Sequence, residues 1–162
     1  MYSVVARHAD PATWDRLHAA ALAEKTPLLR DGLYDLLASS EDPALARRAL
    51  ELALTAEPGE TNSAAMISGV AQLHPDLAFD YAMANLPAVM SKVDASSASR
   101  YIPRLGRASA DPAMIGRMNA YATASLPPTA RGDAAITVAE VTFRIKVRQE
   151  RLPAIDAWLA QQ

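Results

Sequence analysis

The chain has 162 residues, of which 51% are hydrophobic, and it carries a formal net charge of −2 and no cysteine. This length and composition suit one folded domain and exclude a disordered chain, disulfides and thiolate chemistry. Residues 1–81 hold 6 basic and 12 acidic residues, whereas residues 82–162 hold 10 and 6. The small total charge argues against nucleic acid as a partner, although the basic second half could face an anionic group. A chance excess of charge on solvated surfaces explains the same counts.

No run of about 18 apolar residues is present, so the sequence predicts no membrane partner. The first residues, Met-Tyr-Ser-Val-Val-Ala, form too short an apolar stretch for the core of a secretory leader. We therefore expect a soluble protein, and the cytoplasm is favoured over the periplasm.

Frequent alanine, few glycines and few β-branched residues favour helix throughout the chain. Three amphipathic helices are predicted first, over residues 10–24, 26–39 and 42–54. Each begins with an Asp-Pro or Thr-Pro pair, which supplies a cap and a proline that the first turn tolerates. The third helix is apolar on more than one side, so we expect it to pack between neighbours.

Proline and glycine in the turn at residues 57–60 end the third helix. A fourth helix is expected from a cap at Thr61 or Asn62 to Leu73, and a fifth over residues 75–85.

Proline interrupts the pattern repeatedly in the second half of the chain. Residues 87–93 are predicted to form a short helix or a kinked continuation of the fifth. A helix broken at Pro103 is predicted within residues 94–107, and a further one from the Asp-Pro pair at 111–112 to Ser125.

The last segment, residues 130–159, is predicted to be a long helix that Pro153 kinks or restarts. The stretch 137–147 is rich in β-branched residues and taken alone would suit a strand. We interpret it as helix because no other segment could pair with it in a sheet.

About eight or nine helices joined by short connections predict an all-α fold in one domain, residues 1–162. Asp-Pro at three helix starts suggests stacked antiparallel helical hairpins in a right-handed superhelical arc, as in HEAT or armadillo proteins, with an irregular period.

No motif for catalysis or metal binding is present. The chain lacks H-E-x-x-H, G-x-S-x-G and a glycine-rich phosphate loop, and its histidines have no metal-ligand spacing: His8, His18 and His74. Three aspartates are best explained as helix caps: Asp10, Asp42 and Asp111. We therefore predict no catalytic residue, no metal site and no cofactor in this chain.

Two basic stretches are candidates for binding. Arg100, Arg104 and Arg107 fall at i, i+4 and i+7, so that an unbroken helix would align them to hold a carboxylate, although a solvated stripe is the simpler explanation. The stretch from Phe143 to Arg151 lacks the charge and aromatic residues of a nucleic-acid site and is interpreted as a solvated helix face.

The order of several motifs resembles a known family. Asp-Pro with Trp14 is followed by Leu-Leu-Arg at 28–30, by Asp-Pro at 42–43, by His-Pro-Asp-Leu-Ala at 74–78 and by a closing Ile-x-x-Trp-Leu at 155–159. This order resembles the C-terminal helical domain, often called endoplasmic-reticulum-aminopeptidase-like, of zinc aminopeptidases of the aminopeptidase N and puromycin-sensitive type. Phe143 stands where the family has a tryptophan.

The resemblance implies a non-catalytic role. The chain would be the distal part of a larger C-terminal domain that walls the substrate chamber and modulates peptide access. Its partners would be the peptide substrate and the catalytic domain of the same polypeptide, where the zinc would lie. Within this expectation, Arg100, Tyr101, Arg104 and Arg107 are predicted to bind the carboxylate tail of a peptide.

An internal repeat that has lost its neighbour exposes apolar surface. We expect Trp14 and Leu17 to be exposed in this way and to cause weak self-association. The alternatives are a free-standing helical-repeat scaffold that binds another protein and a small helical enzyme, for which the sequence offers no clustered polar site.

Overall fold

The computed structural model describes residues 2–161, and within them the predicted all-α fold is confirmed because no strand is present. Short 3-10 turns lie at Ala95–Ser97 and Pro128–Ala130, and a π-helical turn lies at Val147–Arg151. The described residues form more helices than the eight or nine expected: α1 (Tyr2–Arg7), α2 (Pro11–Ala23), α3 (Pro27–Leu37), α4 (Pro43–Ala53), α5 (Glu60–Leu73), α6 (Pro75–Ala84), α7 (Leu86–Met90), α8 (Ala98–Leu105), α9 (Ala113–Ser125), α10 (Gly132–Lys146) and α11 (Leu152–Leu159).

The aspartates of the Asp-Pro pairs bond to free backbone amides at helix starts. The Asp10 carboxylate accepts from the Thr13 amide at 2.7 Å, and Asp42 accepts from the Ala44 amide at 2.7 Å. Asp111 accepts from the Ala113 amide at 2.9 Å, although Pro112 is the residue that precedes α9. These bonds satisfy donors that a helix leaves unpaired in its first turn.

The expected cap of α5 at Thr61 or Asn62 was wrong. The helix begins at Glu60, and Gly59 precedes it with a φ of 82°, a conformation that favours glycine. The Asn62 amide instead donates to Asp31 at 2.7 Å and to the Pro58 carbonyl at 2.9 Å, so it joins α5 to α3.

The expected break at Pro103 was also wrong, because α8 continues through this residue to Leu105. A proline removes one backbone hydrogen bond from a helix. Packing opposes that loss here, since Ile102, Pro103 and Leu105 are all buried.

The helical interpretation of the last segment is confirmed. Ala134, Thr137, Val141 and Ile145 are buried in α10 at spacings of three and four, so one side of a helix faces the core despite the β-branched composition. Beyond α10, a π turn at 147–151 precedes α11, and the Leu152 amide donates to the Val147 carbonyl.

Most helices pack against the next helix in the chain or the one after it, and α5 also packs against α8. Contacts join α2 to α3, α4 to α5, α5 to α6 and α9 to α10, and they also join α3 to α5, α4 to α6, α6 to α8 and α8 to α10. This pattern fits stacked hairpins, while the superhelical arc stays a prediction.

Alanine lets these helices approach closely. Ala46, Ala49, Ala78 and Ala82 have no exposed surface. At Gly69 of α5, a Cβ atom would lie 3.1 Å from the Cβ of Ala38, which directly follows α3. Small side chains at these contacts bring backbone against backbone, so larger residues would force the helices apart.

The prediction that Trp14 is exposed was wrong. Trp14 is 2% exposed, and its Nε1–H donates to the Leu37 carbonyl at 3.1 Å. Sequence reasoning had missed α1, which packs against α2 and α3 at this end of the molecule. The exposed apolar side chains near the α2–α3 turn are instead those of Leu22, Leu28 and Leu29.

Candidate functional site

The four residues predicted to bind a carboxylate do not form one cluster. Arg100 and Arg104 lie on α8, and Arg107 lies just beyond its end. The Arg100 Nη2 donates to the Ser97 hydroxyl at 3.1 Å. Arg104 and Arg107 line common cavities, and neither Arg100 nor Tyr101 is among the lining residues.

Tyr101 faces a different cleft, between α5 and the segment 91–97. Its hydroxyl donates to the Ala64 carbonyl at 2.8 Å, and its side chain is only 9% exposed. Burial raises the pKa of Tyr101 to about 12, so the phenol stays protonated. The cleft has a volume of about 450 Å³ and is lined by small polar side chains, by Glu60 and Asp94, and by Lys92.

A third arginine joins Arg104 and Arg107. Arg144 of α10 lines the same cavity of about 200 Å³, together with Gln72 and two alanines. The packing of α8 against α10 brings these arginines together, although some 40 residues separate them in the chain. Sequence analysis placed Arg144 on a solvated helix face, and no local signal pointed to this neighbour across the helix pair.

Arg107 is held by two hydrogen bonds to one carboxylate. Its Nε and Nη2 donate to the two oxygens of Glu140 at 2.7 and 3.0 Å. Among residues 2–161, by contrast, Arg104 and Arg144 form no ion pair. The cavity is therefore bordered by two unpaired guanidinium groups and one that is already neutralised, an arrangement suited to an added anion.

Gly106 lets the end of α8 approach α9 closely. A Cβ atom at this position would lie 2.6 Å from the Met114 sulfur and would also overlap the Met118 methyl group. Both methionines are fully buried, so they have little room to move aside.

A second charged cluster is built on Arg117 of α9. Its guanidinium donates to Asp80 at 2.6 Å, to Asp76 at 2.7 Å and to Asp111 at 3.2 Å. The Ser109 hydroxyl donates to the same Asp76 at 3.0 Å. These bonds tie α9 to α6. Sequence analysis found only the capping role of Asp111, because the other partners lie more than 30 residues away in the chain.

A third polar group joins α2, α3 and the turn before α5. His18 Nε2 lies 2.7 Å from Glu57 Oε1, and the Tyr34 hydroxyl donates to the same oxygen at 3.0 Å. Burial, followed by the bond to Glu57, raises the pKa of Tyr34 to about 12. Tyr34 is therefore a structural donor and not a base at neutral pH.

Two further kinds of site are absent from residues 2–161. No three His, Asp or Glu side chains between residues 2 and 161 lie close enough together to hold a metal ion. No helix within these residues is both long and apolar enough to cross a membrane.

Comparison with known proteins gives one family. No curated protein matches the chain. The sequence model of the family described as ERAP1-like C-terminal domain matches residues 1–140, which is most of the chain. The chain therefore belongs to the ERAP1-like C-terminal domain family, a non-catalytic part of aminopeptidases.

Proposed function

We propose that this domain walls the substrate chamber of a zinc aminopeptidase and binds the carboxylate tail of the peptide whose other end is cleaved. Family membership supports the link to an aminopeptidase. The catalytic domain of the same polypeptide would hold the zinc and would be the direct partner of this domain. The free-standing scaffold is the alternative, and it would require no catalytic domain in the same reading frame.

The observation that carries the proposal is the cavity between α8 and α10. Arg104, Arg107 and Arg144 border about 200 Å³ of open space, and only Arg107 is neutralised, by Glu140. A carboxylate is flat and accepts two parallel hydrogen bonds from a guanidinium group, which is the geometry that arginine offers and lysine does not. The carboxylate of a peptide tail that enters this cavity would replace hydrogen bonds to water with hydrogen bonds from the guanidinium groups of Arg104 and Arg144.

The composition of the cavity supports a tail and not a side chain as its occupant. Its other lining residues are Ala71, Gln72 and Ala108, which leave room but provide no apolar pocket for a large group. Recognition would thus depend on charge and would tolerate many sequences, as a domain that admits varied peptides requires.

A binding experiment tests the carboxylate. One peptide is labelled at its N-terminus and prepared with either a free C-terminal carboxylate or a C-terminal amide, which removes the charge. We expect the carboxylate form to bind the chain at least about tenfold more tightly, since one charge-assisted hydrogen bond contributes roughly 1.5–3 kcal/mol. In the Arg104→Gln/Arg144→Gln variant the two forms should bind equally.

Arg47→Gln is the matched control, because Arg47 is an exposed arginine on α4, away from the cavity. It should preserve the preference for the carboxylate. Equal binding of both peptide forms to the unmodified chain would contradict the proposed site.

A test of the proposed role in the substrate chamber requires the whole enzyme. In an aminopeptidase that carries this domain, the double arginine variant should raise KM for a long peptide with a free carboxylate. KM for a small aminoacyl anilide, which is too short to reach the domain, should not change. An equal effect on both substrates would indicate a disturbed catalytic domain and would refute tail binding.

A further inference from the structure

The end of the chain forms an arm that lies apart from the body. Every residue from Arg148 to Gln161 is exposed, and no residue of α11 is buried. Within the described residues, α11 packs substantially only on the π turn that precedes it, and not on any helix of the body. The family match ends at residue 140, before this C-terminal arm (residues 148–161).

The arm is apolar on one side. Leu152, Ile155 and Leu159 follow at i, i+3 and i+7, with Trp158 beside them, and each of these side chains is between 48% and 60% exposed. This spacing is that of the contact positions in paired helices. A helix that leaves such a stripe in water has an unused surface for another helix.

The π turn aligns this stripe with apolar residues of α10. Because a π turn bonds i to i+5, it places Leu152 above Val147, and Val147 itself lies one turn after Phe143. Phe143 is 69% exposed. Phe143 and Val147 also border an open cavity of about 320 Å³, together with Arg107, Glu140 and Arg144.

We propose that two copies of this chain pair through their arms in antiparallel orientation. A two-fold axis near the π turn places the Trp158 indole of each copy at the cavity beside Phe143 and Arg144 of the other. Ile155 then lies against the other copy's Val147. The protruding aromatic group and the open cavity lie on the same surface of the same chain, so the contact is self-complementary, as a two-fold interface requires.

The distribution of charged residues along the arm favours the antiparallel orientation, and it favours a second copy of this chain as the partner that covers the apolar stripe. Residues 144–151 hold four basic side chains (Arg144, Lys146, Arg148 and Arg151) against Glu150 alone, whereas Asp156 is the single charged residue of 152–161. Parallel arms would place the basic segments together. Antiparallel arms bring Asp156 of each copy beside Lys146 of the other and place the negative end of each helix dipole near the basic segment.

The contact area predicts a weak dimer. An arm of 14 residues is about 21 Å long and about 10 Å wide, so two arms cover a few hundred Å² of accessible surface on each copy. This total lies below the roughly 1,200 Å² typical of stable complexes, so we expect a dissociation constant in the micromolar range or above.

Sedimentation equilibrium from about 10 μM to about 1 mM tests the pairing. We expect a monomer–dimer equilibrium whose dissociation constant rises about tenfold or more in Trp158→Ala, since a central aromatic group dominates small interfaces. Leu28→Ala is the matched control, because it removes an apolar side chain that is 81% exposed on α3, a helix with no substantial contact to the arm. Far-UV circular dichroism establishes that both variants keep their helices.

A charge exchange tests the orientation. Asp156→Lys and Lys146→Asp should each weaken the dimer, and the two changes together should restore it, because the pair is only reversed. A monomer across the whole concentration range would overturn the proposal. So would association that Leu28→Ala abolishes and Trp158→Ala leaves unchanged, because the contact would then lie at the α2–α3 end.

Discussion

Trp14→Phe offers a quantitative test of how the first hairpin is held together. The change keeps an aromatic ring but removes the Nε1–H that donates to the Leu37 carbonyl at 3.1 Å. Leu37 is the last residue of α3, and the final carbonyls of a helix have no partner within it. Trp14 thus supplies the hydrogen bond that the end of α3 lacks.

Three contributions set the size of the effect. The lost hydrogen bond and the stranded buried carbonyl cost about 1 kcal/mol or more. The smaller ring leaves roughly 40 Å³ empty, which at about 24 cal/mol per Å³ adds about 1 kcal/mol. The Arg48 guanidinium lies 4.2 Å from the indole centroid, and its weaker attraction to a phenyl ring adds about 0.5 kcal/mol. We expect a total loss of about 2–3 kcal/mol.

Urea unfolding followed by far-UV circular dichroism measures the free energy of unfolding. The matched control is Trp158→Phe, since the chain has only two tryptophans and Trp158 is 60% exposed. This control should lose less than about 0.5 kcal/mol in dilute solution, where the proposed dimer does not form. The reasoning would be refuted if Trp14→Phe cost no more than Trp158→Phe.

Two further predictions concern α8. Gly106→Ala should destabilise the protein by about 1–3 kcal/mol in the same urea assay, because the added methyl group overlaps the fully buried Met118. An unchanged midpoint would show that the side chains of Met114 and Met118 move aside without cost. Tyr101 has a folded-state pKa of about 12, above its unfolded value near 10. Between these pH values the folded state keeps a proton that the unfolded state releases. The free energy of unfolding should therefore fall as the pH rises from about 10 to 12. Tyr101→Phe should reduce that fall by about 1 kcal/mol between about pH 9 and pH 11, measured by urea unfolding, and an identical decline in both proteins would contradict the role of burial.

The helical fold could be predicted because its signals are local. Asp10 and Asp42 lie next to the amides they bond, and the buried positions of α10 repeat at helical spacing, so both patterns can be seen within a few residues of sequence. Proline marked helix starts correctly and was misleading at one interior position. At Pro103 tertiary packing outweighs the local rule, and this competition is decided by neighbours that the sequence alone does not identify.

The candidate site could be predicted only in part because it depends on contacts between distant segments. The spacing of Arg104 and Arg107 was visible in the sequence, but Arg144 joins them only through the packing of α8 on α10. Tyr101 lies next to Arg100 in the chain and yet faces another cleft, since adjacent residues of a helix point in different directions. The burial of Trp14 was missed for the related reason that α1 had not been predicted.

The packing of each helix on its sequence neighbours has a kinetic consequence. Most of the larger contacts between helices link adjacent and next-adjacent helices and so close short loops, which means that little chain entropy is lost before the first contacts form. Proteins with such a low contact order fold rapidly, and in linear arrays folding can start at any hairpin and spread in both directions. Helical hairpins assembled in this way can begin to acquire structure during translation, before the later helices have left the ribosome.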